Sequence, residues 1–216
     1  MSAIRTNGRL PVLLLACALL GLSACGSVPR TSFYTLNTPS PNQTPVGAPR
    51  YQVSIGPVSV PDYVDRAQLV VRVGPNEQRV LEERRWVQPL AREIDSALAA
   101  SLARQLEGSR ITTLNQSASA AASYRIAIDV QRFDSEPGRE IQLQLVWTIR
   151  DRQGRVLDSG SLSAQRPVER PGFDALVAAH AAALDQLAGT LAASLRRLPP
   201  TPVMPAPSAP LASPAG

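Results

Sequence analysis

Apolar side chains recur along residues 51–198 in two rhythms, every second position and every fourth. Alternation marks half-buried strands, and the four-residue spacing marks one face of a helix. Tyr51–Val60 alternates with Val53 and Ile55 on one side, is interrupted at Gly56-Pro57 and stops at Pro61. Gln68–Val73 and Arg79–Glu82 flank Gly74-Pro75-Asn76 and predict a hairpin. Three later runs predict an antiparallel meander with one buried face. They are Tyr124–Phe133 through Ile126, Ile128 and Val130, then Glu140–Arg150 through Ile141, Leu143, Leu145, Trp147 and Ile149, then Val156–Ala164 beyond the turn Asp151-Arg152-Gln153-Gly154. Ile111–Leu114 predicts a short strand, and the Ser/Ala run 117–123 a loop. The helical stripe Leu90, Ile94, Leu98, Leu102, Leu106 opens at Pro89, a residue suited to a first helical position, and is stopped by Gly108. A second stripe, Val177, Leu184, Leu187, Leu191, Leu195 and Leu198, starts near Phe173-Asp174. Together these predict an α+β fold: a single two-layer domain, a mainly antiparallel sheet with two long helices on one face.

The ends follow other rules. Arg5 and Arg9 precede an apolar run from Leu10 to Leu22 that is short for a membrane span, followed by Leu22-Ser23-Ala24-Cys25, so residues 1–24 read as a signal peptide. Leu-Ser-Ala-Cys resembles the lipobox of bacterial lipoproteins, which implies cleavage before Cys25 and acylation of its thiol and amino group. Several acyl chains, each worth about 0.8 kcal/mol per buried methylene, hold a domain on a membrane stably. Gly26 follows, where aspartate commonly signals inner-membrane retention, and by that resemblance the outer membrane, periplasmic face, is the expected destination. Residues 25–50 form the lipid-anchored N-terminal segment and Pro-rich linker, with Pro39, Pro41, Pro45 and Pro49. Within it Thr31–Leu36 alternates as a short strand. Docked into the sheet, it leaves the six residues Gly26–Thr31 as a tether of at most about 20 Å. This short tether is preferred, because Phe33 and Tyr34 on a free arm would waste apolar surface. The α+β domain proper is expected over 51–198, and 199–216, with seven prolines and no charged side chain, as an extended Pro-rich tail.

Composition then removes chemistry. All 22 basic residues are arginine, which excludes a lysine Schiff base or a phosphate-loop lysine. Aromatics at 4% supply few stacking platforms for nucleic acid. Processing removes Cys17, Arg5 and Arg9 and blocks Cys25, leaving no free thiol and a balance of 20 arginines against 17 acids. His180, the single histidine, has no second histidine or thiol to complete a metal site and reads as a helix-surface or packing residue. No Gly-x-Ser-x-Gly elbow or Gly-rich phosphate loop is present. Asp134 with Glu136 reads as surface, as does the Arg92, Glu93, Asp95, Arg104, Glu107 side of the first helix. No catalytic, cofactor or metal residue is therefore assigned. The stretch Ile55–Arg66 stands out, since two prolines and a glycine stiffen a loop carrying Asp62, Tyr63, Asp65 and Arg66. Tyrosine and arginine are favoured interface anchors, so these four are the candidate partner-binding set. The competing reading has Asp65 and Arg66 satisfying turn hydrogen bonds while Tyr63 covers the core edge.

Phe33-Tyr34-Thr35-Leu36 after the lipid cysteine, the Ile55–Arg72 stretch, Arg85-Trp86 with Pro89-Leu90, Tyr124-Arg125-Ile126, and a meander ending in a Leu/Ala helix resemble the PqiC-type auxiliary lipoproteins of ABC-type and MCE-protein lipid transport systems. Ala67 stands where that pattern has a proline, and the Pro-rich tail is outside it. The resemblance implies a non-enzymatic accessory that docks a periplasmic MCE-domain tunnel to the outer membrane and supports membrane integrity. MCE-domain protein, transporter membrane subunits and further copies in a ring-like homo-oligomer are the implied partners, with no cofactor. Two other occupations fit the same residues: an independent lipid carrier, and an outer-membrane lipoprotein regulating peptidoglycan synthesis or a secretion assembly. For the anchor, Cys25→Ser is expected to abolish acylation and release the protein from membranes. Lipid label persisting on that variant overturns the lipobox reading.

Overall fold

In the computed structural model the described residues are 30–36 and 48–201. The signal segment, Cys25, most of the linker and the tail beyond Thr201 lie outside them. The strands are β1 (Ser32–Tyr34), β2 (Gln52–Ser59), β3 (Gln68–Gly74), β4 (Glu77–Trp86), β5 (Arg110–Thr113), β6 (Tyr124–Glu136), β7 (Glu140–Asp151) and β8 (Val156–Pro167). The helices are α1 (Leu90–Gln105) and α2 (Phe173–Arg196), and a short 3-10 turn occupies Ser117–Ala121.

The alternating runs build an α+β domain. β6, β7 and β8 form the expected meander, with Ile126 opposite Ile149, Ile128 opposite Trp147 and Leu143 opposite Ala164. Their inward residues are buried while Arg125 and Asp129 stay in water, so one face of the sheet is covered and one is wet. Both helices pack on the covered face and on each other, α1 against β2 and β5, α2 against β7 and β8. Leu90, Ile94, Leu98 and Leu102 of α1 and Leu187, Leu191 and Leu195 of α2 are wholly buried. Each such side chain contributes about 1.5–3 kcal/mol of transfer free energy. Gly160 on β8 makes room for Trp147, since a Cβ there would lie 2.6 Å from the indole.

Alternation does not reveal which strand neighbours which. β2 lies between β5 and β6, parallel to both, in the order β5-β2-β6-β7-β8. The hairpin β3–β4 joins β1 in a separate three-stranded sheet, β1-β4-β3. The parallel pairings need long crossovers, and the β2-to-β5 connection carries the whole hairpin and α1.

β1 runs parallel to β4, with Phe33 opposite Arg85 and Tyr34 opposite Trp86. Its inward residue Tyr34 meets the Phe173 ring edge-on at 6.4 Å, and Leu36 is buried. Phe33 points the other way and is 63% exposed, so joining the sheet shelters only one of the two aromatics, as a two-residue period requires. The strand is held from the side by Glu93. This residue of the first turn of α1 was expected on the solvated face, yet it is fully buried and accepts hydrogen bonds from Leu36 N–H and Thr35 Oγ1, both at 2.8 Å. Exposed amides at a helix N-terminus favour a carboxylate there. Asp95, from the same expected polar face, is also buried. Glu93→Ala is expected to destabilise the domain by about 1–3 kcal/mol, the cost of buried groups left unpaired. It should also remove hydrogen-exchange protection from the Leu36 amide; a folded variant with that amide still protected overturns the clamp.

Candidate docking surface

The loop between β2 and β3 is a closed turn. Val64 and Asp65 N–H groups donate to Pro61 O at 3.0 and 3.2 Å, Arg66 N–H donates to Val64 O at 2.8 Å, and Val64 is buried. Tyr63 fixes the turn to the body. Its hydroxyl donates to Asp134 Oδ1 at 3.1 Å and accepts the Phe133 N–H at 3.1 Å. Asp134 also receives Arg72 Nη2 at 2.6 Å on Oδ2, with Arg132 Nε at 3.8 Å. Burial pushes the Tyr63 hydroxyl pKa up, aided by the Asp134 charge and opposed by the Phe133 amide, so Tyr63 stays a neutral donor. The bond to Asp134 raises the Arg72 pKa. One carboxylate thus joins the loop, β3 and β6.

Asp134 was expected at the surface and is 4% exposed. The register of β6 against β7 shifts between Val130 and Arg132, and this bulge resets the alternation so that Phe133 and Ser135, opposite Leu143 and Ile141, face the core, while Asp134, opposite Gln142, is turned to the other face and buried there beneath Tyr63 and Arg72. Of the four candidate partner-binding residues, Tyr63 is half-buried and spent on this internal node, while Asp62, Asp65 and Arg66 are exposed. The three exposed side chains make no hydrogen bond or ion pair within the described residues, so the turn's bonds are made by backbone and by Tyr63. The sequence signal for Asp134 is only its pairing in space with Tyr63 and Arg72, which linear spacing does not carry.

Beneath the node lies His180 of α2. It is 1% exposed, stacks on Phe133 at 3.8 Å between centroids with 6° between planes, and its Nε2 lies 2.8 Å from Ser135 Oγ. Nδ1 is buried without a partner, so no carboxylate orients the ring as a general base requires. Burial lowers its pKa from 6.5 to about 3, which keeps the ring neutral. The adjoining cavity, lined by Val64, Trp86, Phe133 and His180 among others, holds about 10 Å³. Among the described residues no three His, Cys, Asp or Glu side chains gather as a metal-binding group.

The turn thus sits on a two-layer α+β body, with a neutral, buried histidine beneath it. The sequence model for the ABC-type transport auxiliary lipoprotein component matches residues 34–192, from within β1 to within α2, and the chain belongs to that family. The family is one of membrane-anchored lipoproteins that serve a transporter, and it is not an enzyme class. Two solved structures share the fold. A crystal structure of an uncharacterized protein is 18% identical, covers 77% of this chain and 99% of its own, and has a TM-score of 0.62. A protein from Xanthomonas campestris is 22% identical over 77% of this chain and 98% of its own, with a TM-score of 0.56. A comparison with curated proteins gives no match.

The buried histidine makes stability pH-dependent. Unfolded, it binds a proton below pH 6.5, while the native ring does so only near pH 3. Stability therefore falls with pH below 6.5, by about 1.4 kcal/mol per unit from this group. In urea titrations the stability difference between wild type and His180→Leu should shift by that slope between pH 6 and pH 4, against the wild type. Parallel pH profiles for the two proteins contradict the assignment.

Proposed function

We propose that this protein is the lipid-anchored accessory subunit of an MCE/ABC-type intermembrane lipid transport system, docking the periplasmic tunnel to the outer membrane. The observation that carries this reading is the match to the transport auxiliary lipoprotein family across 34–192. The lipobox at Cys25, with Gly26 after it, supports acylation and outer-membrane sorting. On this reading Asp62, Asp65 and Arg66 meet the MCE-domain protein directly, and Tyr63 acts with them by setting the loop. Further copies of the chain complete a homo-oligomeric collar, and neither cofactor nor nucleic acid takes part. The Pro-rich tail has no assigned role.

The described interior argues against an independent carrier. A site for acyl chains needs hundreds of cubic ångströms. The cavity between the helices and the hairpin, about 10 Å³, is at the lower limit for one water. The cleft of about 560 Å³ beside Val71, Arg72 and Phe173 is open and edged by Arg79, Glu136 and Arg139, which suits a surface contact better than an enclosed lipid.

Gentle solubilisation of membranes and affinity capture of the full chain should bring down an MCE-domain protein with transporter subunits. Arg66→Ala, and more strongly Arg66→Ala with Asp62→Ala, should lower that recovery several-fold with an unchanged melting temperature. Reproducible capture of cell-wall or secretion machinery in its place overturns the reading, and normal recovery by folded loop variants removes the loop from the interface.

A further inference from the structure

We propose that the outer face of β1 and the adjoining end of β4, centred on Phe33 and Val87, rests in the headgroup layer of the membrane that holds the lipid anchor. This rests on acylation of Cys25. Phe33 and Val87 are 63% and 61% exposed, the two most exposed large hydrophobic residues among those described. They are neighbours: Phe33 stands opposite Arg85, Val87 lies two positions beyond Arg85, and the Val87 N–H still bonds Tyr34 O at 2.9 Å. The inward partners on the same strands, Tyr34 and Trp86, are packed against Phe173 and Phe133, so the outward pair is not a failure of the strand to dock.

The occupant is set by the chain itself. Six residues, Gly26–Thr31, separate the acylated cysteine from β1, and fully extended they reach at most about 20 Å. Glu93 holds Thr35 and Leu36 on the far side of β1, so the tether cannot lengthen by peeling the strand without breaking two hydrogen bonds to this buried carboxylate. Phe33, the second residue of β1 and eight positions from Cys25, therefore stays within about 28 Å of the acylated residue, whereas a protein partner must compete with the lipid surface for the same face. Composition agrees with an interfacial seat. An aromatic and a branched aliphatic side chain share this face with Arg85, whose Nε donates to Glu82 O at 3.1 Å while its Nη2 has only a loose, water-exposed contact with Glu82 at 3.8 Å, leaving that end of the guanidinium at the surface for lipid phosphates. The loop of Asp62–Arg66 abuts this end, since Ala67 O accepts the Trp86 N–H at 2.8 Å. A partner bound to the loop would then meet the subunit at the level of the headgroups.

The test uses the full, processed chain. Loss of Cys17 and acylation of Cys25 leave an introduced thiol as the sole reactive one. Phe33→Cys, Val87→Cys and, as a reference on β8, Leu157→Cys would each carry a polarity-sensitive fluorophore. The labelled proteins are reconstituted in vesicles of phosphatidylethanolamine and phosphatidylglycerol, with and without brominated acyl chains. Labels at 33 and 87 should shift to the blue and be quenched several-fold more by brominated lipid than the label at 157, in variants that melt like wild type. Equal quenching at all three positions in protein that floats with the vesicles leaves the anchor standing and overturns the membrane-facing surface. Failure to float removes the anchor, and the surface with it.

Discussion

A single buried carboxylate decides where this chain meets its own beginning. Glu93, wholly enclosed in the first turn of α1, takes up Leu36 N–H and Thr35 Oγ1 and so joins the N-terminal strand to the helix that covers the large sheet. Without it β1 is three residues long, too short for its ladder with β4 to overcome the entropy of ordering it. With it, Tyr34 is positioned over Phe173, and the end of β4 is framed between β1 on one side and the Ala67 carbonyl on the other. The small sheet is consequently fixed relative to α1 as well as through its own side-chain packing.

Asp134 performs the matching service for the loop. Its carboxylate is buried but fully engaged, by a neutral phenol on one oxygen and a guanidinium on the other. Removing either partner leaves charge or a lone pair unsatisfied in a poorly solvated site, which is why such nodes hold loops in one conformation. The rigidity lies in Tyr63, and the surface chemistry lies in its exposed neighbours Asp62, Asp65 and Arg66. Residues that a linear reading groups as one set therefore divide into a support and three presented groups.

Much of this architecture is legible along the chain, and the failures have physical causes. The leucine stripes of both helices and the meander are plain because burial on one face imposes a period on every residue. The partners of β2 are not legible, because a parallel neighbour is chosen by the crossover connection rather than by the strand's own pattern. Burial of Asp134 depends on Tyr63 and Arg72, distant in sequence, closing over the face to which a bulge turns it, and Gln131-Arg132 carries no residue that announces the bulge. Glu93 escapes because a lone acid in a first helical turn is what solvent-exposed helices also show; only the arrival of Thr35 and Leu36 from nearly sixty positions earlier distinguishes it. Tyr63, half-buried between these extremes, covers the core edge as the second of its two readings has it, through Asp134 and the Phe133 amide.

The position of β2 at the centre of the large sheet also bears on when the domain can form. Its neighbours are β5 and β6, synthesised after the hairpin and α1, and its first residue is hydrogen-bonded to Thr201, 149 positions away, while Thr201 N–H bonds Arg50 O. Contacts of such separation are entropically expensive to close and slow the approach to the native state. A chain emerging from its N-terminus therefore has no complete sheet to settle into until almost all of it is available. In a member of a lipoprotein family, such a delay keeps the polypeptide open until nearly its whole length has reached the compartment in which it folds.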